Sequence, residues 1–127
     1  MQEDPEERAI ADKILRSIEK QYGFIPVVNQ VLSERPDKFI PAANYGKAVM
    51  EGKSELDQKT KYLLAVSAAT ALGGEHCVRV QMHHASMAGA TKDEILESML
   101  IGSYIAMTRS QSYAFREYSE MFSEKEK

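Results

Sequence analysis

KTKYLLAVSAATALGGEHCVRVQMHHASMAGATKDEILESMLIGSYIAM, residues 59–107, is the stretch whose reading decides the fold. Its first part is apolar nearly all round, which predicts a buried central helix. Ser54-Glu55-Leu56-Asp57 just upstream has a capping-box pattern, so that helix is expected to start at Ser54 and to end at Gly73-Gly74. A second helix is expected from about Glu75 to Met87, closed by Gly89. Thr91 and Glu94 form another capping box and open a third through Met107. No segment of useful length alternates with the period of a strand.

Working outward, Asp4-Pro5 reads as an N-cap followed by Pro at the first helical position. Ile10, Ile14, Leu15 and Ile18 then repeat at helical spacing until Gly23. FIPVVNQVLSERP predicts a short helix from about Pro26, ended before Pro36, and another runs from Pro36-Asp37 to Gly52. A last helix is expected over about Ser110 to Phe122, and the acidic head and the tail SEKEK read as solvated ends. The fold class is all-α, and 127 residues are one domain's length, so a single domain over 1–127 is expected.

Hydrophobic residues make up 43% and charged ones 28% of the chain, an ordinary globular balance. The net charge of −3, with Lys and Arg dispersed among Asp and Glu, lacks the footprint of a nucleic-acid binder. No basic amphipathic face suits a membrane surface, and no apolar run approaches the roughly 18 residues of a span. MQEDPEERA carries neither the basic nor the apolar region of a signal peptide, so a cytoplasmic location is expected.

Residues 71–91, ALGGEHCVRVQMHHASMAGAT, hold the one cysteine and all three histidines. With a single Cys77, neither an intramolecular disulfide nor an internal CxxC pair can form. Two glycines lead into a helix whose first turn carries Glu75, His76 and Cys77. A thiol there faces unpaired backbone N–H groups and the positive end of the helix dipole, a setting suited to a nucleophile. Gln81 and His84 follow Cys77 at i+4 and i+7, on one stripe. A small buried cysteine is the plainer reading. His76, His83 and His84 do not offer a zinc spacing, so no metal and no cofactor is expected. GxSxG and P-loop patterns are missing. The methionines and tyrosines at helical spacing read as core packing or an oligomer seam.

The block from KTKYLL to ILESM, with the upstream YGFIPVVNQVLSERPDKFIPAANYGKAVMEG, resembles the carboxymuconolactone decarboxylase/AhpD-like superfamily over about residues 22–107. In that family a KT-x-E-L helix leads into CxxCxxxH and then a small-residue helix ending near G-A-T. The lead-in G-x-x-P followed by L-S-x-x-P is matched as well. The resemblance implies an AhpD-like bundle of about six to seven helices, a small-molecule substrate and a homo-oligomer, trimer or hexamer.

The redox site the resemblance implies is mostly replaced. The family's second cysteine falls on Cys77, the first on Gly74, the histidine on Gln81 and the glutamate on Tyr62, while His76 matches a histidine some members carry. Gly74 removes the resolving thiol, and neither Gln81 nor Tyr62 takes up a proton near neutral pH. A one-cysteine cycle through a sulfenic acid and an external thiol reductant remains open, with His76 or His84 as base. ALGGEH also resembles the decarboxylase branch, which implies Glu75 and His76 as an acid–base pair of a lyase acting on a small carboxylated lactone. A non-catalytic oligomeric binding member is the third alternative. Peroxide or disulfide reduction at Cys77 is the favoured expectation.

Overall fold

The computed structural model describes residues 3–123, the side chain of His76 excepted. From Glu124 on, the tail read above as solvated lies outside the described residues. Among the described residues there are six helices and no strand: α1 (Pro5–Tyr22), α2 (Val27–Leu32), α3 (Pro36–Glu51), α4 (Gln58–Leu72), α5 (Glu75–Met87) and α6 (Lys92–Met121). None is long and apolar enough to cross a membrane. The chain packs as two compact units, Met1–Glu55 and Leu56–Lys127.

In the first unit the sequence signals operate as expected. The Asp4 carboxylate accepts from the Glu6 N–H at 2.9 Å, Pro5 opens α1, and Gly23 closes it at φ 81°. That positive φ is one that residues with a Cβ rarely adopt. Helices α1 and α3 pack together, with Ala11 and Phe39 buried. Arg8 ties α1 to the end of α2: it donates to the Ser33 carbonyl at 2.7 Å and to Asp12 at 3.2 Å, and pairs with Glu3.

The second unit is built on α4, against which both α5 and α6 pack. Its start differs from the expectation at Ser54. The Ser54 hydroxyl donates to the Gly52 carbonyl, whereas the Asp57 carboxylate accepts from the Thr60 N–H at 2.8 Å and caps the helix. Of two cap-competent residues, the charged one interacts favourably with the helix dipole. Val66 and Ala69 are buried, but Leu64 and Leu72 stay exposed, Leu72 by 83%, so only part of α4's apolar circumference is covered.

The two helices expected over 91–122 are one, α6, of 30 residues. Thr108 to Gln111 contain no Gly or Pro, and the Thr108 hydroxyl donates back to the Ile105 carbonyl inside the helix. The Thr91–Glu94 capping box forms as read. Two features hold α6 on α4. Lys59 Nζ pairs with Glu94 at 2.9 Å. Gly102 is buried where the backbones approach so closely that a Cβ would lie 2.2 Å from the Ser67 carbonyl oxygen.

Candidate functional site

Gly73 ends α4 at φ 75°, and Gly74 follows as the N-cap residue of α5 with φ −84° and ψ 93°. The turn is anchored by the Gly74 N–H, which donates to the Ala69 carbonyl at 3.0 Å. The Gly74 carbonyl in turn accepts the first helical bond from the Val78 N–H at 2.8 Å. The N-cap residue of α5 is Gly74, which has no side chain with which to cap the helix.

Cys77 sits in that first turn, exposed and as a free thiol. Gly74 is its immediate neighbour in space. A Cβ at position 74 would lie 3.3 Å from the Cys77 Cβ and 3.7 Å from its Sγ, so glycine leaves that flank of the sulfur open. Position 74 therefore stands directly beside Cys77 and carries no side chain.

The stripe read from the sequence runs from exposed to buried along α5. Gln81 is half-buried, and its Oε1 is buried with no hydrogen-bond partner among the described residues. His84 is only 7% exposed and stacks on Tyr62 of α4, with ring centroids 4.7 Å apart and planes 13° from parallel. His84, at the C-terminal end of that stripe, is thus one of the residues through which α5 packs on α4. Tyr62 is half-buried, and its hydroxyl accepts from Gln58 Nε2 at 3.4 Å.

Helix geometry separates these groups. Seven residues place His84 about 10 Å along the axis from Cys77, too far for direct proton transfer, and Gln81 lies between them. Glu75 is exposed. Glu75 and Cys77 at i, i+2 do not face each other, and Glu75 and His76 diverge by about 100° around the axis. The side chain of His76 lies outside the described residues. His83 is exposed, its ring 6.4 Å from that of His84. The structure therefore stacks His84 on Tyr62 and places Gly74 beside Cys77, with Gln81 one turn from Cys77 on α5 and Glu75 exposed. Among the described residues no three His, Cys, Asp or Glu gather as metal ligands.

Sequence reasoning missed Gln58, which touches the Tyr62 hydroxyl, and the Lys59–Glu94 pair at the start of α4. Gln58 was legible only as the i−4 neighbour of Tyr62. The pair spans 35 residues and has no local signal. Both Glu94 and Asp57 are held below the usual carboxylate range. For Glu94 the Thr91 backbone N–H is the first cause and Lys59 the second, and for Asp57 it is the Thr60 backbone N–H.

No curated protein and no solved structure matches the chain. The family model described as the carboxymuconolactone decarboxylase family matches residues 40–120, from within α3 almost to the end of α6. That match starts later than the resemblance read from the sequence, and it takes in the whole of α4 and α5 and most of α6. It covers more than half of the 127 residues and the whole Tyr62–His84 region, and the chain belongs to the carboxymuconolactone decarboxylase family.

Proposed function

We propose that the chain is a thiol-dependent reductase of small peroxides or disulfides that uses Cys77 as its single nucleophile. The observation that carries this reading is an exposed, free thiol in the first turn of α5, with Gly74 beside it leaving that flank of the sulfur open. In the peroxide reaction the sulfur attacks one oxygen, and an S–O bond forms as the O–O bond breaks. The departing oxygen takes a proton and leaves as an alcohol or water, and Cys77 becomes a sulfenic acid. The first-turn N–H groups are donors for the negative charge released on that oxygen. One external thiol condenses with the sulfenic acid, giving a mixed disulfide and water. A second external thiol restores Cys77 and carries the disulfide away.

Gln81 has a role in this cycle. Its buried, unpartnered Oε1, one turn from Cys77, is an acceptor for the O–H of the sulfenic acid. With no thiol at position 74, that intermediate has to persist until an external one arrives. A cycle that draws on external thiols suits a reducing compartment, the cytoplasm.

The test uses the full chain, a hydroperoxide and dithiothreitol as the external thiol. The wild type is expected to consume peroxide and to give one dimedone adduct on Cys77 by mass spectrometry. Cys77→Ser is expected to lose both. Turnover that survives Cys77→Ser, or a wild-type Cys77 left unmodified by peroxide, would end this reading.

A further inference from the structure

Reduction of an oxidised Cys77 needs a second sulfur to reach the first, and the chain has no other cysteine to supply it. Beside Cys77 stands an opening of definite size. Gly74 is half-buried, and a Cβ built on it would lie 3.3 Å from the Cys77 Cβ, 3.7 Å from its Sγ and 4.0 Å from the Ala69 carbonyl oxygen. These atoms wall a notch about as wide as a methyl group, which glycine leaves open. Its shape is set by backbone bonds on both sides: the Gly74 N–H donates to the Ala69 carbonyl at 3.0 Å, and the Gly74 carbonyl accepts from the Val78 N–H at 2.8 Å.

A sulfur atom fits that point. Nonbonded heavy atoms rest in contact at about 3.5–4.0 Å, so a thiol sulfur seated where the Cβ would be, 3.7 Å from Sγ, touches Cys77 without overlap. From there it closes to the ~2.05 Å of a disulfide bond. Direction is the second requirement. A thiolate displaces a group on sulfur in line, entering opposite the oxygen that leaves. Gly74 precedes Cys77 by three residues, and Gln81 follows it by four, about 6 Å further along the axis. The two therefore lie on opposite sides of Cys77 along α5. The buried Oε1 of Gln81, without a hydrogen-bond partner among the described residues, holds the sulfenic O–H on the C-terminal side. The N-terminal side, where Gly74 stands, is open to the thiol.

We infer that Gly74 is the specificity-determining residue of the reductive half of the cycle, and that its notch admits a small primary alkyl thiol, one whose sulfur is carried on an unbranched CH₂. This rests on the peroxide chemistry proposed for Cys77. The thiolate enters over Gly74, and its sulfur bonds to Sγ as the S–O bond breaks. The departing hydroxide takes up a proton and leaves as water. In the mixed disulfide the external sulfur has been oxidised and that of Cys77 reduced. A carbon bearing further methyl groups beside the entering sulfur would meet the Cys77 Cβ and the Ala69 carbonyl, so a tertiary thiol is turned away.

The test separates the two half-reactions. The full chain is converted to the sulfenic acid with one equivalent of hydroperoxide, and a thiol is then added. Dimedone trapping at intervals, read by mass spectrometry, gives the sulfenic acid that survives. The thiols are cysteine and penicillamine, which differ only by methyl groups on the carbon that carries the sulfur. The wild type is expected to be reduced faster by cysteine. Gly74→Ala fills the notch in a backbone conformation that alanine adopts freely. It is expected to slow cysteine by about tenfold or more and penicillamine by less than about twofold. Equal slowing of the two thiols would mark a general disturbance of Cys77 and overturn the inference, as would a cysteine reaction that is not slowed. A peroxide step slowed as much as the cysteine step would assign the notch to the peroxide, with the same consequence. A wild type reduced equally fast by both thiols would overturn the inference without any variant. A wild type that forms no sulfenic acid would end the reductase reading itself, and this inference with it.

Discussion

Restoring a thiol at position 74 tests the geometry of the site directly. Gly74 has φ −84° and ψ 93°, a backbone conformation that a residue with a Cβ adopts without strain. A Cβ there lies 3.3 Å from that of Cys77, just inside the roughly 3.5–4.5 Å found across disulfides. A shift of a few tenths of an ångström brings the pair into range, and the side chain that must give way is the bonding partner itself. Gly74→Cys is therefore expected to close an intramolecular disulfide with Cys77. A loop this short constrains the unfolded chain by about 2 kcal/mol, which is the upper bound on the stability gained on oxidation. After mild oxidation with diamide, titration with Ellman's reagent should fall from two thiols per chain to none. A non-reducing gel should still show a single-chain band, and the oxidised form should unfold at higher urea than the reduced form. Two thiols surviving oxidation, or covalent dimers in place of the internal bond, would refute the placement of Gly74 beside Cys77.

The remaining predictions concern the frame that holds the site. Gly102→Ala puts a methyl 2.2 Å from the Ser67 carbonyl oxygen, so the ~1–3 kcal/mol of overpacking exceeds the ~0.5–1 kcal/mol that alanine gains over glycine in a helix. Gly46→Ala, in α3 with nothing within 4 Å, should show that helical gain alone, and urea denaturation followed by circular dichroism should move the two midpoints in opposite directions. Equal shifts would rule out the close approach of α4 and α6. Glu94 is held below its ordinary value of 4.5, first by the Thr91 N–H and then by Lys59, so its ionised form belongs to the folded state. Its stabilisation is complete above that ordinary value and is lost as pH falls through the lowered one. Glu94→Gln should therefore flatten the acid limb of stability measured from about pH 6 to pH 3, and a variant whose acid limb is as steep as the wild type's would contradict this.

What was legible in the sequence was what local chemistry decides. Asp4-Pro5, Gly23 and the Thr91–Glu94 box each act through neighbours within four residues, and each is found where it was read. Cys77, Gln81 and His84 fall on one stripe for the same reason, since i, i+4 and i+7 is a property of one helix. Ser54 does not cap α4, because two cap-competent residues stand three apart and their bonds to Gly52 and Thr60 settle which one does. The stack of His84 on Tyr62 joins residues on separate helices and needs α5 to have docked on α4. Gly102 gave no signal at all, because a lone glycine within a helix becomes meaningful only once another backbone approaches it.

The groups that hold this fold and the groups proposed to run its chemistry barely overlap. Asp57, Lys59, Thr91, Glu94 and Gly102 cap α4 and α6 and fasten them together, and none of them coincides with Tyr62, Gly74, Cys77 or Gln81. A change at Gly74 alters what stands beside the sulfur without touching the α4–α6 contact. Tyr62 is bound more closely into the frame, since its ring carries the α4–α5 stack through His84. An aromatic ring at that position supports packing that a carboxylate there would not. The scaffold's persistence is consequently no measure of the activity, because function resides in side chains that the fold tolerates rather than requires. In this chain that leaves Cys77, with Gln81 one turn below it, as the place where activity has to be sought.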